Sequence, residues 1–209
     1  MLRFLIADDH TVVRKGLKQI LQDAFPSALI EEVADAEELL KKVIKEEWDT
    51  VISDISMPGR SGLDVLQQIR QTHPKLPILI LSMHHEDQYA IRVLKAGASG
   101  YLNKDSAPED LVKAVNHVLL GKKYITSSIA EKLVSAVDQE GKKFTHEYLS
   151  DREFEVLKLL ASGKSVSDIS EQISLSVSTI STYRARIMTK LGLKTNADLT
   201  LYSFEHKLI

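Results

Sequence analysis

Short apolar runs alternate with segments whose apolar residues fall three or four apart, and this alternation constrains the fold more than anything else in the chain. The runs are "RFLIAD", "ALIEEVA", "TVISD", "PILILSM" and "GYLNKD", all within about the first 121 residues. Between them lie helical periods such as Val13, Leu17, Ile20, Leu21 and Ala24. Asp35 with Glu38, and Ser106 with Glu109, fit the capping-box pattern at helix starts, and Gly97 suits a helix C-cap. Strands that alternate with helices must be joined by crossovers, so the spacing predicts a parallel five-stranded sheet with helices on both faces. That is a doubly wound α/β domain, flavodoxin-like if the strand order is 2-1-3-4-5.

From Thr126 the strand pattern stops. "SSIAEKLVSAV" predicts a helix with Ile129, Leu133, Val134 and Val137 on one side, and polar "DQEGKKFTHEY" reads as a flexible linker containing Gly141. Four helical periods follow, divided at Gly163, near Leu175-Ser176, and at Gly192, with Ser150 and Glu153 as a third capping box. The expected division is an α/β domain over 1–121, a linker helix and flexible linker over 122–147, and a small all-α four-helix domain over 148–209.

Open parallel sheets bind ligands at the carboxyl ends of their strands, near the point where strand order reverses. There the first strand brings Asp8 and Asp9, the third Asp54, the fourth Ser82 and the fifth Lys104, while the second, at the edge, brings nothing. Clustered carboxylates raise one another's pKa unless a cation neutralises them. All-oxygen ligation suits a hard divalent cation, with magnesium beside a phosphate as the usual arrangement. Lys104 would meet one phosphoryl oxygen and Ser82 another, and an aspartate can become an acyl phosphate. Phosphoryl transfer asks mainly for positioning and charge neutralisation, and this set provides both. Singly, each residue has a plainer reading as a cap, a turn former or a solvated side chain. Their coincidence at four strand ends favours a site.

"ADD" after the first strand, "SDISMPGRSGLD" around Asp54, "LSMH" at Ser82 and "GASGYLNKD" at Lys104 together resemble the receiver domain of bacterial two-component response regulators. The resemblance implies that Asp54 accepts phosphate from a sensor histidine kinase. It further implies that Asp8, Asp9, Asp54 and the Ser56 main-chain carbonyl hold Mg2+ (or Mn2+), with Ser82 and Tyr101 as the hydroxyl and aromatic switch positions. Asp105 follows Lys104 where many receivers have proline. A cis bond without proline costs about 3–4 kcal/mol, so the geometry there is left open. Val51 and Ile52 read as buried strand, with Met57-Pro58-Gly59 turning the chain beside the site.

Net charge is -2, so any nucleic-acid surface must be local. Residues 145–209 balance eight basic against eight acidic side chains. Between Gln172 and Ala197, however, Arg184, Arg186, Lys190 and Lys194 face no acid in the sequence. "SVSTISTYRARIMTKLG" predicts a helix with Val177, Ile180, Ile187, Met188 and Leu191 on one face and Ser178, Thr182, Ala185 and Arg186 opposite. Small hydroxyls early and basic residues later suit a helix in the major groove; an amphipathic core helix with a solvated face is the plainer alternative. The stretch from "LSDREFEVL" to "TNADL" is similar to the LuxR-type helix-turn-helix domain, which with the receiver implies the NarL/FixJ class of response regulators. The DNA-binding candidates are Ser178, Thr179, Ser181, Thr182, Arg184, Arg186, Lys190 and Lys194. Arg184 lies at the apolar edge, where it either touches DNA or snorkels and braces the fold. Ser181 and Tyr183 stand where many members carry a basic residue and a histidine.

The sequence has no cysteine, excluding disulfides and thiolate metal sites. No apolar run nears the ~20 residues needed to span a bilayer, and no secretory signal pattern opens the chain. A cytoplasmic protein acting away from membranes is expected. The reading is a phosphorylation-controlled transcriptional regulator that binds a palindromic double-stranded DNA site as a phosphorylated homodimer. It is not an enzyme beyond its own phosphorylation and dephosphorylation. A phosphate-independent DNA-binding regulator and an aspartyl-phosphate phosphohydrolase are the alternatives. Leu199, Leu201, Tyr202 and Phe204 on the last helix offer apolar surface for pairing.

Overall fold

The structure is a computed structural model that describes residues 1–57, 62–83, 86–131, 146 and 149–209. By its internal contacts the chain divides into two compact units, Met1–Ser135 and Ala136–Ile209.

In the first unit five strands, β1 (Arg3–Ala7), β2 (Leu29–Val33), β3 (Thr50–Asp54), β4 (Ile78–Ser82) and β5 (Gly100–Asn103), form one sheet. Their order is β2-β1-β3-β4-β5 and every pairing is parallel. Four helices connect them, α1 (Thr11–Ala24), α2 (Ala36–Lys45), α3 (Gly62–Thr72) and α4 (Glu86–Lys95), and α5 (Ala107–Leu119) follows β5. Leu17 and Leu21 of α1 join Leu111, Ala114, Val115 and Val118 of α5 over Phe4, Ile6, Ile52 and Leu81 of the sheet. Strand side chains alternate between faces, so burial of Leu5, Val51, Ile80 and Tyr101 as well shows that both faces are covered. The central strands β3 and β4 are buried at every position. The edge strand β2 instead carries half-buried Glu31 and Glu32, which pair with Lys42 and with Arg14 and Lys18. Charge on an edge strand discourages pairing with another sheet.

Two of the expected caps form in this unit and one does not. The Asp35 side chain accepts from the Glu38 N–H at 2.8 Å. Gly97 sits at φ +104°, where its N–H and that of Ala98 close the end of α4 onto Leu94 and Val93. Ser106 does not cap α5. Its backbone is already helical (φ -94°, ψ -5°), which turns its hydroxyl back to the Asn103 carbonyl at 3.1 Å. Among the described residues no peptide bond is cis, so Lys104-Asp105 is trans.

The second unit contains α6 (Asp151–Ala161), α7 (Val166–Gln172), α8 (Val177–Leu191) and α9 (Asn196–Glu205). Phe154, Leu157, Ile169, Ile180, Ile187 and Leu199 make its core. Each helix starts at a hydroxyl cap: Ser150, Ser165, Ser176 and Thr195. Ser150 with Glu153 closes a full capping box, as expected. So do Ser165 with Asp168 and Thr195 with Asp198, which the sequence pattern overlooked because it looks for Glu or Gln at the third position.

Within the first unit, after α5, residues 127–131 are helical and Ile129 is buried. Leu133, Val134, Val137 and the expected linker Asp138–Glu147, apart from His146, lie outside the described residues, as do Pro58 and Gly59 of the turn after Asp54.

Candidate functional site

The parallel register brings the carboxyl ends of β1, β3, β4 and β5 to one end of the sheet, and Asp8, Asp54, Ser82 and Lys104 meet there. All are nearly or fully buried: Asp8, Asp54 and Ser82 are at most 3% exposed, and the Lys104 side chain is 6% exposed. Lys104 Nζ donates to Asp54 Oδ2 at 2.8 Å and lies 2.6 Å from Asp8 Oδ2. The other Asp54 oxygen, Oδ1, accepts from the Ser56 N–H at 3.2 Å. Lys104 is itself placed by its backbone, whose N–H donates to the Ser82 carbonyl at 2.9 Å. A buried cation between two buried carboxylates is an arrangement that only charge pairing makes tolerable.

Burial pushes the Asp54 carboxyl above its usual range and outweighs the opposing pull of Lys104; the Asp8 charge pushes it further up. For Lys104, burial lowers the ammonium, but the two carboxylates outweigh it and hold the group above its ordinary value. Repulsion among the acids was expected to raise carboxylate pKa values, and for Asp54 burial is the larger cause.

Asp9 stands at the rim, its side chain 29% exposed. His10, which sequence reasoning passed over, joins the cluster. Its N–H donates to Asp8 Oδ1 at 2.8 Å, and its ring Nδ1 lies 2.8 Å from Asp9 Oδ1 and 3.3 Å from Asp8 Oδ1. Ligand atoms of Asp8, Asp9, His10 and Asp54 all fall within 4.8 Å of one another. Asp8 Oδ2 is held by the Lys104 ammonium at 2.6 Å and Asp9 Oδ1 by the His10 ring at 2.8 Å. Three carboxylates converging within 4.8 Å of one another form a donor set of the kind a hard divalent cation takes. Nothing in the letter sequence distinguished His10 from any helix cap. Its signal was its place directly after the acid pair.

Gly62 packs α3 against the segment after β3. A Cβ at this position would meet Ile55 Cα at 2.6 Å and the Asp54 carbonyl at 2.8 Å. Only glycine lets α3 start that close to the Asp54 backbone. Tyr101 is fully buried, opposite Ile80 on the neighbouring strand. The aromatic switch position named in the sequence therefore lies inside the sheet unit.

In the second unit, α8 spans the residues expected of it. Ile180, Ile187 and Met188 are buried and Ser178, Ser181, Thr182, Arg186, Lys190 and Lys194 are exposed. Val177 is 49% exposed and does not belong to the apolar face, because it occupies the first turn, where the helix has not yet reached the core. The hydroxyls are engaged locally. Ser181 and Thr182 donate to the carbonyls of Val177 and Ser178, both at 2.9 Å, and Ser178 and Thr179 share Ser176. Arg184 Nε donates to Asn196 Oδ1 at 2.9 Å, which ties α8 to the start of α9 and matches the bracing alternative. Lys190 is committed too. Its ammonium pairs at 2.6 Å with Glu153, a carboxylate 3% exposed that also closes the α6 cap. Arg186 and Lys194 make no ion pair among the described residues. Between α7 and α8 the chain turns through Ser174 at φ +53°, giving two helices joined by a tight turn.

Such a parallel-sheet domain with an acid pair, an aspartate and a lysine at its strand ends, together with a helix-turn-helix unit, defines the response regulators. Residues 4–116 match the response regulator receiver domain, and residues 147–203 match the bacterial regulatory proteins of the luxR family. Over 209 residues the chain is 34% identical to the response regulator UvrY of Escherichia coli K12, covering 100% of this chain and 96% of that one. It is 36% identical over 215 residues to the oxygen regulatory protein NreC of Staphylococcus aureus JH9, covering 100% of this chain and 99% of the relative. Among solved structures, RcsB from Salmonella enterica serovar Typhimurium, bound to promoter rprA in the presence of phosphomimetic BeF3-, superposes with a TM-score of 0.66 at 29% identity, covering 97% and 98% of the two chains. A second similar structure is an RcsB–DNA complex (TM-score 0.59, 30% identity, 96% of each chain). The chain belongs to the response regulators with a receiver and a LuxR-type DNA-binding domain, the NarL/FixJ class of phosphorylation-controlled transcription regulators. Among the described residues no helix is long and apolar enough to cross a membrane.

Proposed function

We propose that Asp54 is the phosphoacceptor and that phosphorylation by a sensor histidine kinase promotes a homodimer that binds a palindromic DNA site. The observation that carries this reading is the buried Lys104 ammonium seated on Asp54 and Asp8. In the transfer, an Asp54 carboxylate oxygen attacks phosphorus. The P–N bond to the donor histidine breaks, a P–O bond forms, and the pair from the broken bond leaves with the imidazole. Lys104 turns to a phosphoryl oxygen and the Ser82 hydroxyl donates to another. A magnesium ion, or manganese, held by Asp9, Asp54 and the Ser56 carbonyl with Asp8 in support, supplies charge neutralisation at the phosphoryl oxygens. The same geometry supports self-phosphorylation from small phosphodonors and self-dephosphorylation, without turnover of external phosphate esters.

Phosphate selects the arrangement in which Tyr101 stays inside while Ser82 bonds the new group, a shift in population that matters only if the two states differ in association. Leu201 and Phe204 on α9, 58% and 71% exposed, offer an apolar face to a second copy. Two weak DNA-binding units joined in a dimer gain avidity on two half-sites. Acetyl phosphate with magnesium is expected to add one phosphoryl group by intact mass and to raise the light-scattering mass to that of a dimer. Asp54→Asn should show neither change; an undiminished label on that variant overturns the assignment.

For α8, Arg186 and Lys194 are the phosphate contacts, Ser178, Thr179, Ser181 and Thr182 sit toward base edges, and Arg184 and Lys190 act mainly within the domain. Arg186→Ala should weaken binding to every sequence and lower the salt slope by about one unit per lost contact. A titration in which affinity and slope both stay unchanged removes this helix from the groove.

A further inference from the structure

We propose that Arg14 is a positioning residue for the acid pair: its guanidinium, steadied by Glu32 of β2, grips the Asp8 carbonyl and thereby fixes the peptide that carries Asp9. The inference rests on the metal-assisted reading of the strand-end site and adds a residue that touches neither phosphate nor metal. The ladder of β1 ends at Ala7, paired with Val33 and Ser53. Beyond it the Asp8 N–H still reaches the Val33 carbonyl at 3.3 Å. The Asp8 carbonyl instead accepts from Arg14 Nη1 at 2.6 Å. Asp8 is 1% exposed, so a carbonyl there without a donor would be destabilising. Arg14 lies in the first turn and a half of α1, and its guanidinium reaches three elements. Besides Asp8 at the end of β1, Nη2 donates to Thr11 Oγ1 at 3.2 Å on α1, and Nε lies 3.7 Å from Glu32 Oε2 on β2. The Arg14 side chain is 14% exposed, which limits the screening of that pair. Lys18 donates to the other Glu32 oxygen at 2.9 Å and holds that carboxylate in place.

The consequence falls on Asp9. A peptide bond is planar, so the Asp8 carbonyl oxygen and the Asp9 Cα belong to one rigid unit. Asp8 is held at its N–H by Val33, at its two carboxylate oxygens by His10 and Lys104, and at its carbonyl by Arg14. Asp9 has less support: its side chain is 29% exposed and its neighbour is the exposed His10 ring. The aim of the Asp9 carboxylate is therefore set largely by the plane of the preceding peptide, which Arg14 fixes. The edge strand β2, which brings no group to the strand ends itself, acts there through Glu32 and Arg14. Magnesium demands near-ideal octahedral geometry and responds to such aim, whereas calcium accepts more oxygens in a flexible arrangement. Residues that orient metal ligands from behind contribute roughly 10–100-fold in affinity.

The test uses the full chain, Arg14→Met, which keeps an apolar stem without donors, and Arg14→Lys, which restores a donor but not the planar fork. Magnesium and calcium affinities are measured by calorimetry without phosphodonor, and urea unfolding is followed through the buried Trp48. Arg14→Met should lose magnesium affinity on the order of tenfold and calcium affinity much less, with Arg14→Lys recovering part of the loss. Glu32→Gln should shift magnesium affinity in the same direction by less, and that shift should vanish in the Arg14→Met background. If magnesium affinity in Arg14→Met is unchanged, or falls by the same factor as calcium affinity alongside stability in urea, Arg14 is merely structural and the proposal fails alone. If the wild type binds neither cation at millimolar concentration, the metal-assisted reading of the site fails, and the proposal with it.

Discussion

The two units put their acidic side chains to opposite uses. In the sheet unit, Asp54 is buried at a strand end and held above its usual pKa, first by burial and then by Asp8, against the pull of Lys104. In the helical unit, Glu153 is just as buried by area, but the Lys190 ammonium and the Ser150 cap outweigh burial and hold it below its usual range. Asp168 and Asp198 are lowered as well, each first by the hydroxyl of its capping residue, Ser165 or Thr195. A carboxylate that serves a fold is surrounded by donors until its charge is comfortable. One at a candidate reactive site is left with a perturbed pKa, at the expense of stability. The difference separates a site from a scaffold without reference to any family.

Removing Glu153 should produce the largest effect on this contrast. Glu153→Ala takes away the bond to the Ser150 N–H and leaves Lys190 without its carboxylate, costing ~3 kcal/mol from the lost cap, the lost buried bond and the broken ion pair. Amide hydrogen exchange should show that loss across α6 to α9. Unchanged protection there would mean that Glu153 is no more of a scaffold group than Asp54.

Asp54→Asn should do the reverse. Without divalent cations the variant removes an uncomfortable charge, and the sheet unit should gain about 1–2 kcal/mol. Trp48, the single tryptophan, lies buried in that unit and reports its urea unfolding by fluorescence. The sign with pH follows from the direction of each shift. Because folded Asp54 has a raised pKa, its contribution is favourable when protonated and is lost as pH rises through that folded value. The advantage of Asp54→Asn should therefore be full above the raised folded value and shrink as pH falls through it toward the ordinary carboxylate range. Glu153 is lowered, so its contribution is full above the ordinary range near 4.5 and is lost as pH falls through its folded value. Acid should thus weaken the helical unit through Glu153 while relieving the sheet unit at Asp54. A variant advantage that grows on acidification contradicts the assignment of the Asp54 shift.

The smallest effect concerns backbone alone. Ser174 holds φ +53° in the turn between α7 and α8, a conformation that costs a side chain about 1–2 kcal/mol and glycine almost none. Glycine's greater freedom in the unfolded chain returns part of that, so Ser174→Gly should stabilise the helical unit by ~0.5 kcal/mol, readable in the same exchange experiment. A loss of stability would show that the serine side chain is needed in the turn.

Most of the site was legible because a parallel sheet reduces a three-dimensional question to a linear one. Once Asp8, Asp54, Ser82 and Lys104 were read as strand ends, the β2-β1-β3-β4-β5 order required them to converge. The helix ends were legible for a similar local reason, since a cap and its partner are three residues apart. Ser106 failed as a cap because the residues before α5 were already in a helical turn, a state that depends on how β5 delivers the chain and not on the three-residue pattern.

The amino-acid sequence by itself determined which segments are strands or helices, the order in which chemistry-bearing residues reach the sheet's end, and the exposure of α8's polar side. These follow from periodicity and short-range bonding, which act over one or two turns of chain. Tertiary structure alone decided what each charged group does. A wheel shows that Lys190 faces away from the core, yet Glu153 lies 37 residues away and claims it. Arg184 is claimed by Asn196 in the same way, and His10 is drawn over Asp9 by the path of the loop that follows β1. Charges act through space at ranges of a few ångströms, and only the folded chain determines which ones come within that range.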